Sequence, residues 1–137
     1  MNKLSDYMLE AKTFYLATTA DQKPSVRPIG GKPAFDEPGF VQAGDKIYFY
    51  TDSTKPMYRQ MKENPDIALT FLVAAGFVRV SAKAAFEDNA DIKRRMLGEN
   101  KSLTQLYKED DGIFQVYSLQ DVKAFLYAKG QAPIELT

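Results

Sequence analysis

The clearest alternation of apolar and polar positions runs from Phe77 to Phe86, where Val78, Val80, Ala82, Ala84 and Phe86 interleave with Phe77, Arg79, Ser81 and Lys83. A period of two predicts a strand with one core face and one face that is wet or meets a partner. Shorter runs predict strands at 14–19, 25–31, 47–51, 67–73, 113–118 and 122–127, with a brief one at 40–42. Ile47, Phe49 and Thr51 alternate with Tyr48 and Tyr50, so this strand is expected to be covered on both faces, and 67–73 is likewise apolar on both. Ala20–Lys23 and Ala74–Gly76 read as hairpin connections, and 32–45, rich in Pro, Gly and Asp, reads as a loop. Pro28 cannot donate to a ladder, which makes its strand an edge, a bulge or a place where the sheet opens. Gly30 and Gly31 after it permit a sharp turn or a close backbone approach.

Helical spacing appears in three places. Leu4, Met8 and Leu9 predict a helix over 3–12 with Ser5 or Asp6 as cap. A second helix follows Asp52, capped by Ser53 or Thr54, with Pro56 in its first turn and Asn64-Pro65 ending it. A third is capped by Asp88 or Asn89, turns Ile92, Met96 and Leu97 inward and closes at Gly98, with further turns around Leu103, Leu106 and Tyr107. About six strands joined mostly as hairpins, with short helices between them, give a mainly β (α+β) chain forming an antiparallel barrel. Such a sheet must close or dimerise to hide its edges.

Length and composition narrow the chemistry. At 137 residues, 45% of them hydrophobic, the chain is long enough for one domain, 1–137, with a substantial core. Lys+Arg and Asp+Glu both number 18, which leaves no net field for nucleic acid or membrane, so any anion site is local. The sequence has no Cys and no His, which excludes disulfides, thiol nucleophiles, His-dependent triads and His-ligated haem or zinc, and no metal site is expected. No secretory signal or membrane span is recognisable, and a cytoplasmic location is expected.

The chemically informative stretch is KIYFYTDSTKPMYRQMKENP, Lys46 to Pro65. It predicts strand, tight turn and helix, with Lys55, Arg59 and Lys62 on one basic helical face and Met57, Tyr58 and Met61 on the apolar side. Cations near a helix start cost about 0.3 to 1 kcal/mol against the dipole, and Asp52 is the only carboxylate nearby. N–H groups, hydroxyls and a lysine there would cradle a phosphate; the plainer reading is a capped surface helix with solvated lysines. Arg27, beside the interrupted strand, is a second candidate anion contact or else a rim salt bridge. Lys93, Arg94 and Arg95 read as a solvated face.

Taken in order, FYLATT, PSVRPIG, IYFYTDSTKPMYRQMKENPDIALTF and FVRVSAKAAFED resemble the pyridoxamine 5′-phosphate oxidase-like family of flavin-binding split barrels over residues 4–127. The resemblance implies a six-stranded antiparallel split β-barrel with short flanking helices, a homodimer, and FMN at the subunit interface. It further implies that Arg27, Pro28 and Ile29 lie along the flavin and its phosphate, and that Tyr50 and Thr51 contact the ring and ribityl chain. Ser53, Thr54 and Lys55 then match the phosphate-binding turn, and Arg79 and Gln115 lie on strands that approach cofactor or partner. True pyridoxamine phosphate oxidases end in an arginine-rich segment, whereas this chain ends YAKGQAPIELT with no arginine after Arg95. The leading expectation is an FMN-dependent oxidoreductase that takes hydride from NAD(P)H and reduces a small organic acceptor, with no residue assigned as acid or base. A non-catalytic flavin carrier or sensor, a deazaflavin-dependent relative and an aromatic nucleic-acid-binding barrel are the alternatives.

Overall fold

The computed structural model describes residues 3–30 and 36–137; Gly31 and the first part of the expected loop, 32–35, lie outside them. In chain order the elements are α1 (Leu4–Ala11), β1 (Thr13–Ala20), β2 (Lys23–Gly30), β3 (Val41–Ala43), β4 (Lys46–Asp52), α2 (Pro56–Glu63), β5 (Asp66–Val73), β6 (Gly76–Glu87), α3 (Ala90–Glu99), a 3-10 turn (Lys101–Gln105), β7 (Phe114–Ala128) and β8 (Ile134–Glu135). All pairings are antiparallel, in the order β2-β1-β5-β6-β7-β4-β3, with β8 added to β7. The six longest strands curl round one core as a split barrel. No ladder joins β2 to β4; the Tyr50 hydroxyl crosses that gap to the Gly30 carbonyl at 3.3 Å.

Alternation decides what each strand buries. Phe14 at the centre meets Phe40, Phe49 and Phe71 edge-on, with ring centroids 6.1, 5.4 and 5.2 Å away, an arrangement aromatic quadrupoles favour. Leu16, Leu69, Val78, Val80, Tyr117 and Leu126 fill the barrel round them, while Leu4 and Met8 of α1 and Met57 and Met61 of α2 close it. On the other side of β4 and β7, Val41, Tyr48, Phe114 and Val116 pack under Ile92 and Met96 of α3 and under Leu103 and Tyr107. Strand β4 is therefore covered on both faces, as its two apolar rows require.

Several expectations shift. The strands expected at 113–118 and 122–127 are one 15-residue strand, β7 (Phe114–Ala128), bent at Asp121 (φ 52°) where the register against β6 slips between Ser81 and Lys83. Both halves find the same neighbour, so the polar break becomes a kink within one ladder. Helix α3 runs past Gly98 to Glu99 because Asn100 ends it: the buried amide donates to the Met96 carbonyl at 3.1 Å and accepts from the Gly39 N–H at 2.6 Å. Its start is as expected, with Asn89 accepting from the Ile92 N–H. Helix α1 starts one residue after Lys3, and Asp6 reaches back to the Lys3 N–H at 2.8 Å instead of capping; Leu9 is 53% exposed. The brief strand β3 sits one residue later than expected, which frees Phe40 for the core.

Strand β5 is the informative exception. Ile67, Leu69 and Phe71 are buried, but Ala68, Thr70 and Leu72 are exposed, Leu72 at 73%. Its outward row continues across the ladder. Val26, Ala17, Ala68, Ser81 and Lys123 form one line, and Pro28, Tyr15, Thr70, Arg79 and Phe125 the next. One face of the sheet thus presents Tyr15, Val26, Leu72 and Phe77 to solvent in the single chain.

Candidate functional site

The corner where β4 gives way to α2 is organised by Asp52. Its buried carboxylate accepts the Thr54 N–H at 2.9 Å, the Thr54 hydroxyl and the Tyr107 hydroxyl. Burial works against its ionisation, yet the donors from Thr54 and Tyr107 outweigh it and hold the carboxyl below the ordinary carboxylate range. Tyr107 is pushed the other way, first by burial and then by its bond to Asp52. The Lys55 N–H bonds back to the Asp52 carbonyl at 3.2 Å, which keeps the chain in a turn through residue 55.

The expected cap at Ser53 or Thr54 is therefore corrected: Lys55 occupies the cap position, extended at φ −84°, and contributes no capping side-chain bond. Thr54 lies one residue before the cap position, in the turn where its N–H and hydroxyl both donate to Asp52. Pro56 follows at a position where a missing N–H costs nothing, and the first turn contains no acid. The expected basic face is divided. Arg59 pairs with Glu63 at 3.4 Å, and Lys62 lies over the rings of Tyr58 and Phe86 at 5.6 and 5.7 Å. Among the described residues Lys55 has no ion pair.

Arg27 is drawn to the same helix. Its Nη1 donates to the Leu16 carbonyl at 3.3 Å and to Thr18 Oγ1 at 2.8 Å, and its Nη2 donates to Gln60 Oε1 at 2.7 Å. Partial burial lowers its pKa. Gln60 lies four residues after Pro56, about 6 Å along the axis from the start of α2, and the guanidinium is bonded to its side chain. Thr51 and Gln115 are cross-strand partners on β4 and β7. Ile29 is half-buried against the core and Tyr50 against the second cluster.

Two of the expected residues lie on the outer face of the sheet. Pro28 and Arg79 share the outer row of the sheet, away from the β4–α2 corner of the same chain. Arg79 there lies over the Tyr127 ring at 5.5 Å. It lines a shallow concavity of about 440 Å³ with Tyr15, Val26, Thr70, Lys123 and Phe125.

What the corner can do follows from its free groups. A helix start with no capping side chain, a lysine at the cap position and a half-buried guanidinium with no carboxylate partner among the described residues are all suited to an anion. Thr51 Oγ1 and the Tyr117 hydroxyl are buried with no hydrogen-bond partner among the described residues, and such groups ordinarily have one. Asp52 does not oppose an anion fully, since three donors already surround its carboxylate.

Reasoning from sequence missed Asp52, Tyr107, Thr18 and Gln60. Asp52 carried a signal, being a carboxylate two residues before Thr54, the spacing of a local Asx-type turn. Gln60 carried none, because its partners Thr18 and Arg27 lie 42 and 33 residues away.

Among solved structures the chain is similar to a NimC/NimA family protein from Clostridium acetobutylicum, with a TM-score of 0.84 at 26% identity over 95% of this chain and 86% of that one. General stress protein 26 from Bacillus anthracis str. Sterne aligns with a TM-score of 0.70 at 17% identity, covering 97% and 95% of the two chains. The heme storage protein HutZ from Vibrio cholerae aligns at 0.63 and 16% identity over 90% and 91%. The last two likenesses concern the fold alone. No curated protein matches the sequence. The family model for pyridoxamine 5′-phosphate oxidase matches residues 2–120, and with the split barrel this match makes the chain a member of the pyridoxamine 5′-phosphate oxidase-like family.

Proposed function

We propose that two copies of the chain bind FMN between them and that the flavoprotein passes electrons from a reduced nicotinamide to a small organic acceptor. The observation that carries this reading is the start of α2, which has no capping side chain and no acid, and has Lys55 at the cap position. A phosphate monoester satisfies all three conditions at once. Lys55, the Ser53 hydroxyl and the first N–H groups of α2 hold the phosphate, with Thr54 contributing through the turn that Asp52 fixes. Arg27 adds a guanidinium to it, Ile29 borders the ring, and Tyr50, Thr51 and Gln115 line the ribityl side.

The flavin supplies the redox chemistry at its ring. The protein binds it, orients it and excludes water, which accounts for a site with neither His nor Cys. One structural neighbour stores heme. This chain has no imidazole to ligate iron, and its donors are those of an anion cradle, so flavin is the better fit.

The exposed row of Tyr15, Val26, Leu72 and Phe77 supports association of two copies through the outer face of the sheet. Arg79 then belongs to the contact and reaches toward the flavin from the second copy. Incubating purified protein with FMN, removing free flavin and recording the visible spectrum tests the reading. Retained flavin absorbance that bleaches anaerobically with NADH or NADPH is expected. A colourless protein refutes it, and flavin that binds but resists reduction by either nicotinamide leaves a carrier.

A further inference from the structure

Arg27 combines two properties. Its charge is half-buried, yet no carboxylate pairs with it among the described residues. Its guanidinium is nevertheless held firmly by neutral acceptors. Thr18 Oγ1 and Gln60 Oε1 are themselves hydrogen-bonded at 2.7 Å, so they stand side by side and take the edge shared by Nη1 and Nη2. The Leu16 carbonyl takes the remaining Nη1 proton. Among the described residues no acceptor meets Nε–H or the second Nη2–H, which are parallel and lie on one edge of the planar group. A pair of parallel N–H donors is the geometry that grips two oxygens of a phosphate or carboxylate.

We infer that Gln60, supported by Thr18, is a positioning residue that holds Arg27 so that its Nε–Nη2 edge is presented as a fork to an oxyanion, the phosphate end of the bound flavin. The inference rests on the reading above. Neutral acceptors are essential to the device: a Glu at position 60 would fix the same orientation but cancel the charge that the anion needs. Thr18 is 1% exposed, and α2 packs on β1, so neither support can swing away without disturbing the core. A guanidinium fixed in advance loses less conformational freedom on binding than one recruited from solvent.

The test compares FMN with riboflavin, which lacks the phosphate, by quenching of flavin fluorescence on wild type, Gln60→Leu, Thr18→Val, Arg27→Lys and the Gln60→Leu/Arg27→Lys double variant. Gln60→Leu is expected to weaken FMN about tenfold and leave riboflavin unchanged, with Thr18→Val in the same direction and smaller. In the Arg27→Lys background, Gln60→Leu should add nothing, because the fork is already lost. Equal losses for both flavins, or undiminished FMN affinity, overturn the inference. If Gln60→Leu does not fold, Thr18→Val is judged by the same criteria. Wild type that binds neither flavin removes the proposed function as well, whereas wild type that binds FMN with an indifferent Gln60→Leu removes this inference alone.

Discussion

Replacing Asp52 with Asn removes one charge and little volume from the corner on which the site depends. The carboxylate now accepts three bonds, from the Thr54 N–H at 2.9 Å, the Thr54 hydroxyl and the Tyr107 hydroxyl. An amide oxygen can keep one or two of these, while the amide N–H2 group confronts a donor it cannot accept from. Hydrogen bonds to a charged group contribute about 1.5 to 3 kcal/mol and neutral ones about 0.5 to 1.5, so the exchange should cost about 2 kcal/mol at neutral pH after relief of the buried charge. In urea, with a slope of about 2 kcal/mol per molar, the midpoint should fall by about 1 M. Because the carboxyl is held below its ordinary range, its contribution is complete above the unfolded-state pKa and is lost as pH falls through the folded value. The gap between wild type and Asp52→Asn should accordingly narrow in acid. Equal midpoints at pH 7, or a gap that persists undiminished through the acid range, would refute the assignment of Asp52 as the charged centre of the corner.

Three further outcomes are expected. Lys55→Ala should weaken FMN by about 1 to 3 kcal/mol without affecting riboflavin, as read by flavin fluorescence titration, and unchanged FMN affinity would remove the ammonium from the site. Gly76→Ala should be strongly destabilising, by about 3 kcal/mol or more in thermal unfolding, since its Cβ would stand 2.0 Å from the Tyr127 carbonyl oxygen at φ 156°. Leu72→Glu, on the exposed outer row, should leave the monomer folded but shift sedimentation from two copies toward one; an unchanged sedimentation coefficient at dimer size would place the contact elsewhere.

Much of the fold could be read from local pattern. The alternation in β6, the paired apolar rows of β4, the hairpin connection at Ala20–Lys23 and the Asn64-Pro65 stop all follow from side-chain periodicity and backbone sterics, which act over a few residues. The strand–turn–helix corner with Lys55 was legible for the same reason. The joining of two expected strands into β7 was not, because only the shared partner β6 makes the ladder continuous across Asp121.

The sequence by itself determined the type and order of most elements and the presence of a cationic corner without His or Cys. The tertiary structure alone decided that Tyr107 comes to Asp52 and that Arg27 turns its guanidinium to Gln60. The difference is physical. Periodicity reports which side of an element is apolar, whereas the direction of a long polar side chain is set by acceptors that folding brings from 33 or 42 residues away.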